Sequence, residues 1–182
     1  MAAPNSHPLF DTICLEHRQI SAFMSQLTPE NNSLQLLHLG ERIEELHRKE
    51  EYLLFHTLFK NPRLREGGPM CSYFFDQHLS ESPIQKIQEK IERPIEIPNH
   101  LKLIWQEKSP LCIPISEHLA IYNLVFHLQQ QKNHVCLKDI NKIAQMISSH
   151  FDKEENCLFH IVKNLLTPPE LDEILEKWEQ FS

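Results

Sequence analysis

Apolar residues return at helical spacing through most of the chain. Leu9, Ile13, Ile20, Phe23 and Leu27 share one face of a helix predicted over 8–27. "TPENNS" breaks that pattern. A second, longer helix is predicted over 33–60, with Ser33 as its N-cap. Its apolar face is Leu36, Leu37, Ile43, Leu46, Leu53, Leu54 and Leu58. Gly40 lies inside it, at a cost of about 1 kcal/mol. "NPRLREGGP" ends it. From 61 to 114 the periodicity is lost, because seven prolines (62, 69, 83, 94, 98, 110 and 114) fall too close together for a long helix. Two short helices are expected there, near 70–79 and 84–92, and "RPIEIP" is expected to be extended.

The helical pattern resumes at 115–132, with Ser116 as cap and Leu119, Tyr122, Phe126 and Leu128 as the apolar face. It continues at 137–166 through Ile140, Ile143, Ile147, Phe151, Leu158, Phe159 and Val162. A short terminal helix follows Thr167, with proline in its first turn and Leu171, Leu175, Trp178 and Phe181 for packing. The expected fold is all-α: one domain over 1–182, an up-down four-helix bundle. Residues 61–114 are read as a Pro-rich insertion or lid between its second and third helices.

Composition narrows the function. Three glycines are too few for a turn-rich β design. A net charge of −7 disfavours nucleic acid as a partner. No apolar run approaches the roughly 20 residues that span a bilayer, and "MAAPNSHPLF" does not read as a secretory leader. Cys14, Cys71, Cys112, Cys136 and Cys157 are odd in number and lack C-x-x-C spacing, so they read as buried or free thiols in a reducing, cytoplasmic setting. Cys157 in particular reads as an inert buried thiol.

Histidine is the anomaly, with 12 in 182 residues. His47 and Glu51 are four apart and so share a helix face, and His150 and Glu154 repeat the spacing. His17 lies midway along the first helix and His118 in the first turn of the third. Each of the four long helices therefore offers an imidazole, and two add a carboxylate. Imidazole with carboxylate suits iron, manganese or zinc. Buried carboxylates would otherwise protonate. Four histidines with two bridging glutamates match a dinuclear site with open positions.

The motifs "LEHRQI", "HRKEEYLLF", "SEHLAIY" and "HFDKEENCLF" resemble those of the hemerythrin-like (HHE cation-binding) family. The resemblance covers 8–60 and 115–166 and leaves the middle uncovered. It implies a non-heme diiron centre with His17, His47, His118 and His150 as terminal ligands and Glu51 and Glu154 as bridges. Two departures open alternates. Phe55 follows His47 by eight residues whereas Phe159 follows His150 by nine, so Glu50 competes with Glu51. "GGPMCSYFFDQH" also resembles the family's approach to its third-helix ligand, so His78 competes with His118, which is preferred. Glu50 and Glu155 are otherwise read as solvated groups or as groups that orient a histidine.

The resemblance implies two iron ions, with manganese or zinc as alternatives, and a small diatomic ligand, O2 or NO, bound or sensed; reduction of NO or peroxide at the same site is a second reading. Other readings are iron donation to, or repair of, an iron-sulfur centre, and a helical interaction module with a degenerate site. Residues 61–114 could dock a protein partner.

Overall fold

The computed structural model describes residues 7–28, 32–65, 96–107, 109–131 and 135–181. These residues are helical, with no strand among them. Helix α1 is Pro8–Met24. Helix α2, Asn32–Lys49, runs through a π-helical turn, Glu50–Phe55, into α3, His56–Lys60. Short helix α4 is Pro62–Arg65. A 3-10 turn, Asn99–Leu101, leads into α5, Lys102–Gln106. Helix α6 is Cys112–Gln130. Helix α7, Leu137–Lys153, repeats the device of α2: a π turn, Glu154–Leu158, carries it into α8, Phe159–Leu165. Helix α9 is Pro168–Gln180.

Local chemistry sets these starts. The His7 ring accepts from the Leu9 backbone N–H at 3.2 Å, ahead of Pro8 in the first turn. Cys136 and Asp139 form a capping box on α7. Thr167 and Glu170 form one on α9, each satisfying backbone N–H groups that a helix start leaves over. Ser116, expected as a cap, is not one. Helix α6 begins at Cys112, and Ser116 sits inside it, buried, its hydroxyl donating to the Cys112 carbonyl at 2.5 Å. Pro114 is tolerated because it lies in the first turn, where its missing N–H has no partner to lose.

Helix α2 packs on α1 and on α6, α7 packs on α1 and on α6, and α9 lies across α1 and the first π turn. The buried faces of α1 and α7 are those the periodicity predicts, Leu9, Ile13 and Ile20 on one and Ile140, Ile143 and Ile147 on the other. Helix α6 differs. Ile115, Ile121, Val125 and Leu128 are buried, whereas Tyr122 and Phe126 are each 45% exposed. That helix is apolar almost all round, so its pattern does not select a face. On α2, Leu39 is buried and Leu37 exposed, for a related reason: α2 meets helices on two sides.

Residues 96–107, the described middle of the Pro-rich 61–114 stretch, pack against the long helices. Leu101 and Ile104 are fully buried in the common core. The helices expected near 70–79 and 84–92 lie outside the described residues, as do Cys71 and His78. Cys157 is buried and disulfide-bonded, which corrects the reading of it as an inert thiol. Cys14, Cys112 and Cys136 are free. No described helix is long and apolar enough to cross a membrane.

Candidate metal centre

Six side chains from four helices and two π turns meet in the core. They are His17 on α1, His47 on α2, Glu50 at the head of the first π turn, His118 on α6, His150 on α7 and Glu154 at the head of the second π turn. All are buried; His47 is the most exposed of them, at 5%. One set of donor atoms, from His47, Glu50, His118 and His150, lies within 4.8 Å of one another, and a second set, from His17, Glu50 and Glu154, does the same.

The atoms facing inward make no hydrogen bond. They are Nε2 of His17, His118 and His150 and both carboxylate oxygens of Glu50 and of Glu154. Buried polar atoms are nearly always satisfied, so a set of orphans aimed at one another marks a place for something else. Their spacing fits a shared cation. His17 Nε2 stands 3.6 Å from Glu50 Oε1 and 3.4 Å from Glu154 Oε2. His118 Nε2 stands 3.4 Å from Glu50 Oε2 and 3.6 Å from Glu154 Oε1, and His150 Nε2 is 3.5 Å from the same Glu154 oxygen. Donors about 2.0–2.1 Å from one tetrahedral metal ion sit about 3.4 Å apart. These gaps are too long for good hydrogen bonds and suit ligands of a common ion.

An outer ring orients the inner one. His17 Nδ1 donates to Glu155 Oε1 at 2.8 Å, His118 Nδ1 to Glu51 Oε1 at 2.9 Å and His150 Nδ1 to Glu117 Oε2 at 3.1 Å. Each such bond fixes a ring with Nε2 turned inward, the usual arrangement behind a ligating histidine. Glu117 also accepts from Lys153 Nζ, and Glu16 accepts from Lys49 Nζ at 3.2 Å and from Trp178 Nε1 at 2.9 Å. Apolar rings close the remaining walls: Phe151 stacks on His17 at 3.9 Å, and Phe55 lies 5.4 Å from His118.

The electrostatics call for positive charge at the middle. Burial and the neighbouring Glu154 raise Glu50 to about 7. Burial pulls His17 and His118 down, but the carboxylates around them outweigh it and raise these rings to about 11 and about 10. Glu154 is held well below its ordinary value because His150, His118 and His17 outweigh its own burial. His47 goes the other way, well below its ordinary value, through burial and the adjoining His118 and His150 rings. Two buried carboxylates thus draw protons onto their neighbours, and a metal cation supplies the same charge in exchange for those protons.

Comparison with known proteins returns nothing: no family model, no curated protein and no solved structure matches the chain.

Of the residues expected from the sequence, His17, His47, His118, His150 and Glu154 come together here. Glu51 does not join them. One of its oxygens accepts from His118 Nδ1 and the other from His100 Nε2, the latter at 2.7 Å, so its carboxylate stands one layer out. Glu50, the alternate, takes the inner position. Glu155, read as solvated or orienting, orients His17. Tyr122, expected on the apolar face of its helix, is exposed instead. His100 was not anticipated: it sits in a Pro-rich stretch with no periodicity to place it. Glu117 was missed as well, although its signal was present, since it precedes His118 as Glu16 precedes His17.

Proposed function

We propose that this chain is a non-heme diiron protein of the hemerythrin-like kind, built on an up-down four-helix bundle, that reversibly binds or senses O2 or NO. The observation that carries this reading is the convergence of orphaned imidazole and carboxylate atoms, with both oxygens of Glu50 and of Glu154 directed at different histidines. A carboxylate disposed in that way suits a pair of cations. The ring of contacts from α1 to α2 to α6 to α7 and back supports the bundle.

In this reading His17 with Glu50 and Glu154 would hold one ion, and His47, His118 and His150 with Glu50 the other. Iron bound there would supply a redox-active ion. The chain's own residues do the rest. Glu155, Glu51 and Glu117 hold three rings in register. Phe151, Phe55 and the Ile and Leu side chains around them keep bulk water from the inner atoms, which favours a bound ligand leaving unchanged. Manganese or zinc would suit the same donors.

Metal analysis of protein from iron-supplied cells tests the first part. Two irons per chain are expected, with a strong loss in His150→Ala and none in His160→Ala, whose ring is exposed. Substoichiometric iron, or equal iron in both variants, ends the diiron reading. An absorption spectrum with and without O2 tests the second part: an oxygen-dependent charge-transfer band is expected. Iron that is instead lost quickly to a chelator under mild reduction favours a donating role.

A further inference from the structure

A cavity of about 410 Å³ opens beside the centre, and two of the six inner residues, His47 and His118, form part of its wall. Its lining carries two exposed carboxylates at the mouth, Glu44 from α2 and Glu96 from the segment before His100, against one guanidinium, Arg48; Glu51 lies deeper, buried and bonded to His118 and His100. Resting on the reading of the six-residue cluster as a metal centre, we propose that this cavity is the route by which a divalent metal ion reaches the cluster, with the rim carboxylates drawing it in and His47 receiving it.

Three observations carry this. The first is access. His17, Glu50, His118, His150 and Glu154 are each no more than 2% exposed, and His47 is the most exposed inner residue and faces the cavity. The second is the state of His47. His17, His118 and His150 are each tied by Nδ1 to a carboxylate, whereas His47, 95% buried, has no hydrogen-bond partner among the described residues and is held only by ring contacts with His118 and His150. An imidazole without such a tether is the inner ligand freest to turn toward an arriving ion and back.

The third is the chemistry of the rim. An uncharged diatomic ligand gains nothing from carboxylates and needs far less room. A cation gains from both, because clustered charge of one sign at a cleft raises the local concentration of its opposite. The insertion completes the route. His100 donates to Glu51, stacks on Tyr52 at 4.2 Å, and its carbonyl accepts from His56 Nε2 at 3.0 Å, which anchors the end of the segment whose Glu96 lines the cavity.

The test is the rate of cobalt(II) uptake by the full chain stripped of metal, followed by visible absorption. Compared are wild type, Glu44→Gln/Glu96→Gln, and a charge-matched control, Glu41→Gln/Glu176→Gln, whose residues lie off the cavity. All exchanged groups are exposed, so folding is not at stake. The rim variant is expected to fill about 3- to 10-fold more slowly at low salt, to the same final cobalt content, with the difference fading as ionic strength rises. The control should match wild type. Equal rates in the rim variant and wild type overturn the proposal, as does a control slowed as much as the rim variant. A rim variant with a lower final content overturns it too, since those carboxylates would then be ligands. Wild type that takes up no cobalt is a different failure and removes the metal-centre reading itself.

Discussion

Glu50 and Glu154 face each other across the centre, and each divides its carboxylate between the same two rings. Glu50 gives Oε1 to His17 and Oε2 to His118, at 3.6 and 3.4 Å; Glu154 gives Oε2 to His17 and Oε1 to His118, at 3.4 and 3.6 Å. Both residues head a π turn. Such turns are rare, occur mostly as single bulges within α-helices and gather at functional sites. Two copies at matching places tie the local backbone to the pairing of the carboxylates.

The first prediction follows from that pairing. Glu50→Gln should cut metal content sharply, because an amide keeps only one of the two inner oxygens that Glu50 divides between the sets and carries no negative charge. Glu51→Gln should leave content near that of wild type and weaken affinity, since Glu51 orients His118 and is not among the inner donors. The metal-free Glu50→Gln protein should also melt higher than metal-free wild type, as one of two neighbouring buried carboxylates has gone. Metal analysis and thermal denaturation read the two effects, and equal metal loss in both variants would return Glu51 to the inner set.

Much of this was legible in the residues and some was not. The long helices, the buried faces of α1 and α7, and the four inner histidines followed from periodicity and spacing. The choice of Glu51 came from measuring forward from histidine. Measuring back from Phe55 and Phe159 instead aligns "KEEYLLF" with "KEENCLF", and Glu50 then matches Glu154, Glu51 matches Glu155 and Lys49 matches Lys153. Helix α2 has one residue fewer between its histidine and that repeat, yet spacings of three and four both keep a pair on one helix face. A one-residue choice of that kind is settled by packing. His100 and the buried face of α6 were illegible for other reasons, a segment without a period and a helix without a polar side.

A second prediction concerns Glu117. It accepts from His150 Nδ1 and from Lys153 Nζ, and those partners hold its carboxyl below the usual range despite its burial. Glu117→Gln should leave the metal count unchanged and lower affinity by about 10- to 100-fold, the usual effect of losing a carboxylate behind a ligating histidine. Competition against a chelator of known strength measures it. An unchanged affinity would mean that packing alone positions His150.

A third concerns packing at Gly40, where α2 and α6 approach closely. A Cβ there would stand 2.7 Å from Gln129 Nε2 and 3.3 Å from Val125 Cγ1. Gln129 donates to the Leu36 carbonyl at 3.0 Å, so an added methyl displaces that bond. Alanine gains about 1 kcal/mol in helix propensity, and the lost bond costs about 0.5–1.5 kcal/mol. Gly40→Ala alone should therefore be neutral or slightly destabilising. In a Gln129→Ala background the same change should stabilise by up to about 1 kcal/mol, a coupling that a double-mutant cycle of denaturant titrations resolves.

The last prediction is a pH dependence at the start of α9. Glu170 Oε2 accepts from the Thr167 N–H and from the Thr167 hydroxyl, both at 2.7 Å, and these bonds hold its carboxyl below the ordinary range. A carboxyl depressed in the folded state stabilises it at all pH values above the unfolded value, near 4.3. That contribution falls away as pH drops through the folded value. Helix α9 matters to the whole because Trp178, 2% exposed, seals it onto Glu16 and α1. Thr167→Ala should cost about 1 kcal/mol at pH 7, lowering Tm by about 2–4 °C for a chain of this size. The gap between variant and wild type should narrow as pH drops through the depressed folded value, below which Glu170 is protonated in both and accepts less well. A series of thermal melts from pH 7 downward checks it, and a gap that stays constant throughout would show that the box acts through its neutral bonds alone.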